Sequence, residues 1–85
     1  MRLDVLIDEV KELADECVMK YGSEYLEMSD AMLTAYLVSL LPERELDMFY
    51  HHQSKMLKVF RERAKEHIEW LNSLSFFIHS SFSGM

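Results

Sequence analysis

Apolar side chains recur at helical spacing over the first 21 residues. They fall on one face, and acidic side chains line the other, which predicts an amphipathic helix over residues 2–21. Gly22 follows directly and indicates the end of the helix, because glycine tolerates the left-handed conformation found there. The apolar positions are Leu3, Leu6, Ile7, Val10, Ala14, Cys17, Val18 and Tyr21.

A second helix is predicted from a start between Ser23 and Asp30, with Ser29 or Asp30 as its cap, to about Leu41. Its main apolar stripe is Leu26, Leu33, Tyr36, Leu37 and Leu40. The opposite side carries no charge and comprises Met28, Ala31, Thr34, Ala35, Val38 and Ser39. A helix that is apolar or small all round is expected to be buried all round, and we expect another chain to supply part of that cover.

A third helix is predicted to begin at Pro42, which suits a first helical position, and to continue to about Leu74. Winding it at about 100° per residue separates three strips. The strip expected to face the core is Leu46, Phe49, Tyr50, Gln53, Leu57, Phe60, Ala64, His67, Ile68 and Leu71.

The other two strips of the third helix predict contacts outside the chain. One mixes methionine, tryptophan and arginine, which are enriched in protein interfaces. With the uncharged side of the second helix it predicts an oligomer or partner interface of Met28, Ala35, Val38, Met48, His52, Met56, Val59, Arg63, Trp70 and Phe77. The last strip is a basic edge, whose candidate contacts to an anionic partner are Lys55, Lys58, Arg61 and Lys65.

A chain of 85 residues makes one domain with a thin core, and domains of this size usually need a staple, a metal or a partner. We therefore expect an all-α, three-helix arrangement with a long C-terminal helix, completed by oligomerisation. A two-fold dimer is the commonest arrangement. Residues 1–75 are expected to form the helical domain, and residues 76–85 a tail rich in serine and phenylalanine.

The net charge of −6 belongs to the first third of the chain. Residues 1–30 hold nine acids and three bases, whereas residues 31–85 hold six of each. This distribution argues against a general nucleic-acid binder. A single cysteine fits a reducing compartment, and the uncharged run at residues 31–42 is too short to cross a bilayer. We expect a cytoplasmic protein without membrane contact.

Candidate chemistry is sparse. Met48, His52 and Met56 could present soft ligands to Cu(I), but packing explains methionines better. His67 is expected at the edge of the core, either as a hydrogen-bonded side chain or as a titratable switch. Cys17 is expected to be a core residue and not a nucleophile. No phosphate-binding loop or catalytic triad spacing is visible in the sequence, so no cofactor or metal is expected.

These observations favour a small non-enzymatic protein that binds other proteins. It would act as a homo-oligomer in the role of an adaptor, a chaperone-like subunit or a regulatory inhibitor, of the kind often encoded by phage or accessory genes. The alternative is a nucleic-acid-associated transcriptional regulator that uses the basic edge of the third helix.

Overall fold

Four α-helices and two short 3₁₀ helices form the part of the protein that the structure describes. The computed structural model describes the backbone of residues 2–83 and the side chains of residues 2–25 and 27–75. Within these residues there is no strand, and the predicted all-α class is confirmed. The elements are α1 (Leu3–Tyr21), a 3₁₀ helix (Gly22–Glu27), α2 (Asp30–Leu40), a second 3₁₀ helix (Glu43–Glu45), α3 (Leu46–His51) and α4 (Gln53–Ser83).

Helix α1 follows its sequence pattern closely. Gly22 ends the helix with a φ of 62°, and its N–H donates to the carbonyl of Val18. The predicted face is the buried one, because every fully buried side chain of α1 belongs to it. Those side chains are Leu6, Val10, Ala14, Cys17 and Val18.

Helix α2 begins at the predicted cap. The Oγ of Ser29 accepts a hydrogen bond from the backbone N–H of Met32 at 3.2 Å, which satisfies one of the free donors of the first turn. Leu33 and Leu37 from the predicted stripe are fully buried. Leu40 is 47% exposed, so its assignment to the core was wrong. Leu40 lies in the last turn of α2 and lines an open groove against α1.

The predicted single helix from Pro42 to Leu74 is divided in the structure. Pro42 has an extended ψ of 144°, and Glu43–Glu45 form a 3₁₀ helix before α3 starts. The division between α3 and α4 falls at His52, with φ −121° and ψ 31°. Its N–H is shared between the carbonyls of Met48 and Phe49, both at 3.1 Å. Helix α4 then runs for 31 residues.

The three long helices run up, down and up. Gln53 at the start of α4 reaches Thr34, whereas Arg61, two turns later, reaches Asp30 at the start of α2. Helices α2 and α4 are therefore antiparallel. On α1, Asp15 contacts Arg63 of α4, and the C-terminal part of α4 continues past the end of α1.

The core lies where α4 packs against α1, α2 and the first 3₁₀ helix. Phe60 is at its centre, with the rings of Tyr25 and Tyr36 edge-on to it at centroid distances of 6.5 and 6.2 Å. Phe49 of α3 is fully buried and forms the end of the core next to this helix. Because α4 is covered from more than one side, its buried face is broader than the single strip that the sequence predicts.

This broad face overturns one interface prediction. Met56 is fully buried inside the chain, so it cannot contact a second one, and its assignment to the interface was wrong. Two residues that the sequence assigns to the core strip were wrongly predicted to be buried. Tyr50 and Leu71 are exposed, because Tyr50 lies on the outer side of α3 and Leu71 lies near the end of α1.

The length and hydropathy of the described helices bear on membrane contact. None of them, over the residues that the structure describes, combines the length and the apolar character needed to cross a bilayer.

Candidate functional site

The outer face of α2 is uncharged and open to solvent. Ala31, Ala35 and Ser39 follow one another at intervals of four residues, and all three are exposed. Met32 beside them is 59% exposed. The hydroxyl of Ser39 donates to the carbonyl of Tyr36 at 2.7 Å, so this face presents no unsatisfied hydroxyl donor. The surface can be covered by another apolar surface without loss of a hydrogen bond.

The predicted interface residues are distributed over several environments. Ala35, His52, Arg63 and Trp70 are exposed, and Met56 is buried. The side chain of Phe77 lies outside the described residues. The remaining four are partly buried against the core and offer only part of their surface: Met28, Val38, Met48 and Val59.

A second candidate region is a polar cluster between α1 and α4. Arg63 donates from Nε to Asp15 Oδ1 and from Nη2 to Asp15 Oδ2, both at 3.1 Å. The Nδ1 of His67 lies 2.9 Å from the same Oδ1. Because a carboxylate only accepts, Nδ1 is the nitrogen that carries a hydrogen in this contact.

Trp70 extends this cluster into an open cleft. Its ring stands edge-on to the imidazole of His67, with centroids 6.2 Å apart, and the side chain is 59% exposed. The cleft has a volume of ≈ 360 Å³ and is lined by Asp15, Arg63, Glu66, His67 and Trp70. It therefore combines an exposed aromatic surface with polar groups that are already paired to each other.

The electrostatics of the cluster are set by opposing effects on Asp15. Burial raises the pKa of this carboxyl, but hydrogen bonds from Arg63 and His67 outweigh it and hold the pKa below its usual value. Asp15 is therefore ionised at neutral pH and acts as the common acceptor of the cluster. The sequence placed His67 correctly at the core edge with a hydrogen-bonding partner.

The outer face of α2 and the cleft lie on different sides of α4. Arg61 marks the side of α4 that faces α2, because it reaches Asp30. Trp70 follows nine residues later, which is about half a turn away in direction. A single flat partner surface cannot cover Ala35 and Trp70 together, so the two regions have to be tested separately.

Some side chains of the basic edge already make contacts within the chain. Arg61 is only partly exposed and donates to Asp30 Oδ1 at 2.8 Å and to the carbonyl of Met28 at 3.3 Å. Lys58 lies 4.0 Å from Glu62 on the exposed surface, and Lys55 and Lys65 are exposed. Arg61 thus stabilises the start of α2 through contacts within the chain, whereas the sequence predicts a contact with an external anion.

Sequence reasoning missed the role of Asp15. It stands 48 positions before Arg63 and 52 before His67, and no local spacing links residues so far apart. Its place among the acids of the first helix indicated only a solvated side chain. Among the described residues, no group of three or more histidine, cysteine or acidic side chains could hold a metal ion.

Comparison of the chain with protein-family models, with curated proteins and with solved structures finds no match.

Proposed function

We propose that this protein is a non-catalytic binding subunit that acts as a homodimer, with the outer face of α2 from each copy packed on the other. A role as an adaptor or regulatory inhibitor follows if the remaining surfaces of the dimer bind a further protein. The observation that carries this proposal is the exposed, uncharged face formed by Ala31, Met32, Ala35 and Ser39.

The side chains of this face suit a close helix-to-helix contact. Small residues at Ala31, Ala35 and Ser39 allow two helix axes to approach toward the short end of the usual range of about 8–10 Å. Met32 lies beside them and supplies exposed apolar surface. Methionine in particular adapts its shape to an irregular neighbour. An antiparallel pair of α2 helices would bury these groups around a two-fold axis.

Charge favours a second copy as the occupant. The net charge of −6 lies in the first third of the chain, so a contact between two copies through α1 is repulsive. The outer face of α2 is free of charged side chains, and an uncharged face is complementary to itself. A two-fold dimer also uses the same patch twice, which is the simplest way to cover it.

The polar groups of the chain support a role that is not catalytic. Asp15, Arg63 and His67 are bonded to one another and join α1 to α4, which is a structural use of these side chains. We place the protein in the cytoplasm. The support is Cys17, the single cysteine of the chain, which is buried and forms no disulfide, as is usual in a reducing compartment.

Sedimentation equilibrium at micromolar concentration tests the dimer. We expect a mass of about twice the 10.1 kDa of one chain. Met32→Glu should give the single-chain mass with an unchanged helical circular dichroism spectrum, because it places a charge within the apolar contact. Met19→Glu is the matched control, since Met19 is 73% exposed on α1 and lies outside the face.

The control variant should sediment as the wild type does. A wild-type mass of one chain across the micromolar range would contradict the proposal. An equal decrease of the sedimentation mass in Met19→Glu and Met32→Glu would also contradict the proposal. This result would show a general effect of charge and no specific role for α2.

A further inference from the structure

Glu45 is an unusual residue in this fold. It belongs to the 3₁₀ helix between α2 and α3, and only 1% of its surface is exposed, which makes it the one buried charged residue among those that the structure describes. Its Oε2 has no hydrogen-bond donor among the described groups. A buried carboxylate without a donor is costly, and a neighbouring group that carries a proton would reduce that cost.

The nearest acidic neighbour is Glu9 on α1. The two side chains are close enough for a hydrogen bond, and a hydrogen bond between two carboxyl groups requires that one of them keeps its proton. This bond raises the pKa of Glu9 to about 7, and burial and the charge of Glu45 act in the same direction. Arg44 opposes them and lowers it. One shared proton also supplies the donor that Oε2 of Glu45 lacks.

Other charged groups near the pair leave it short of positive charge. On α1, Glu12 and Glu16 line the same groove as Glu9, and its opposite wall is Leu40, Leu41 and Pro42. On the 3₁₀ helix, Glu43 and Arg44 are exposed. Arg44 is the one cation among these groups, which include four glutamates besides Glu45, so loss of the shared proton leaves a like-charge contact that is poorly compensated.

We propose that the Glu9–Glu45 pair is a proton-controlled latch that holds the connection between α2 and α3 against α1. With one proton the pair is a hydrogen bond between the two segments. Without it the pair is two adjacent carboxylates, one of which is buried, and the contact opens. The movement would release residues 41–45 from α1 and uncover Leu41, which is buried in the closed state.

The direction of the pH effect follows from linkage. Glu9 binds its proton more tightly in the closed state, where its pKa is about 7, than in an open state with the ordinary value of 4.5. Closure is therefore favoured at low pH, weakens as the pH rises above 4.5, and reaches its minimum once the pH exceeds about 7. The latch opens on alkalinisation, within the pH range of cells.

Amide hydrogen exchange measured by NMR tests the latch on the intact chain. The N–H of Glu45 donates to the carbonyl of Pro42 at 2.9 Å, so its protection reports on this connection. After division by the intrinsic exchange rate at each pH, we expect the opening constant to rise about tenfold from about pH 6 to about pH 8. Protection of α1 amides such as that of Ala14 should not follow this trend.

Two variants separate the pair from the general charge of the groove. Glu9→Gln should abolish the pH dependence, because an amide supplies a permanent donor. Glu12→Gln should retain the pH dependence. This substitution removes the same charge from the same groove, but Glu12 is not bonded to Glu45. Glu9 is partly exposed, so its variant is expected to fold even if Glu45→Gln is not.

Two results would overturn the proposal. The first is a pH dependence in Glu9→Gln equal to that of the wild type. The second is a carboxyl ¹³C titration of the wild type in which Glu9 has a midpoint near 4.5, the ordinary pKa of glutamate. Neither measurement involves the outer face of α2, so the dimer and the latch can fail independently.

Discussion

Arg63 holds Asp15 with two hydrogen bonds of 3.1 Å, although the two residues are separated by 48 positions in the chain. The contact joins two helices, α1 and α4, that run parallel and are connected through all the elements between them. His67 adds a third donor to the same carboxylate. The arrangement fixes the rotation of α4 about its axis, and thereby places Trp70 at the mouth of the cleft.

Asp15→Asn should lower the free energy of unfolding at neutral pH by about 1 kcal/mol. The contacts of Asp15 with Arg63 and His67 are partly solvated, so their contribution to stability is at the low end of the range for charged hydrogen bonds. The pKa of Asp15 is lowered in the folded state, so its contribution is present above the ordinary value of 3.8 and is lost as the pH falls through the lowered value. Urea unfolding at neutral and at acidic pH measures this. Asp8→Asn, an exposed acid on the same helix, should have no comparable effect at either pH.

A difference between Asp15→Asn and the wild type that persists undiminished below the lowered pKa would show that Asp15 contributes by packing. The same outcome would remove the electrostatic explanation for the alignment of α1 and α4.

Met56 and Trp70 should respond very differently to truncation, although both lie on the strip that the sequence predicts as an interface. Met56→Ala should cost about 2–5 kcal/mol of stability, because it opens a cavity in the core. Trp70→Ala should cost about 1 kcal/mol or less, because the side chain is mostly exposed. Urea unfolding of both variants makes the comparison. A larger loss for Trp70→Ala than for Met56→Ala would contradict the packing of α4 described above.

Met56 also shows where the sequence stops being informative about the fold. A strip of apolar residues defines the centre of a buried face, but its width depends on how many neighbours pack on the helix. Local signals performed better. Gly22 as a stop was predicted correctly, and the cap Ser29 is one of the two residues predicted for it, because both signals depend on hydrogen bonds and φ angles within a few residues. The division at His52 has no such signal, because no glycine or proline stands next to it in the sequence.

The candidate sites show the same difference between local signals and long-range contacts. The uncharged side of α2 could be read from spacing alone, because its residues lie within one short helix. The Asp15 cluster and the Glu9–Glu45 pair could not, since each joins residues from distant parts of the chain. The sequence also placed Arg61 on a solvated edge, whereas the turn before α2 brings Asp30 and the carbonyl of Met28 within its reach.

Thr34→Val tests the polar contact between α2 and α4. Gln53 donates from Nε2 to the Oγ1 of Thr34 at 2.9 Å, and both side chains are partly buried. Removal of the acceptor should cost about 1 kcal/mol, because the amide of Gln53 is left without its partner. A double-mutant cycle with Gln53→Leu measures the coupling by urea unfolding. Additive effects of the two substitutions would show that the hydrogen bond does not stabilise the pairing of α2 with α4.

Cys17 provides a chemical probe of the same packing. The thiol is fully buried on α1, and burial raises its pKa, although a hydrogen bond with Tyr36 of α2 lowers it in part. Because the thiolate is the reactive form, modification by a disulfide reagent such as Ellman's should require opening of the α1–α2 contact. The rate in the native protein should therefore be far below that in urea, and Leu37→Ala should raise it by weakening α2. A native rate equal to that of the unfolded chain would mean that Cys17 is reached without opening, and that α2 does not cover α1 as described.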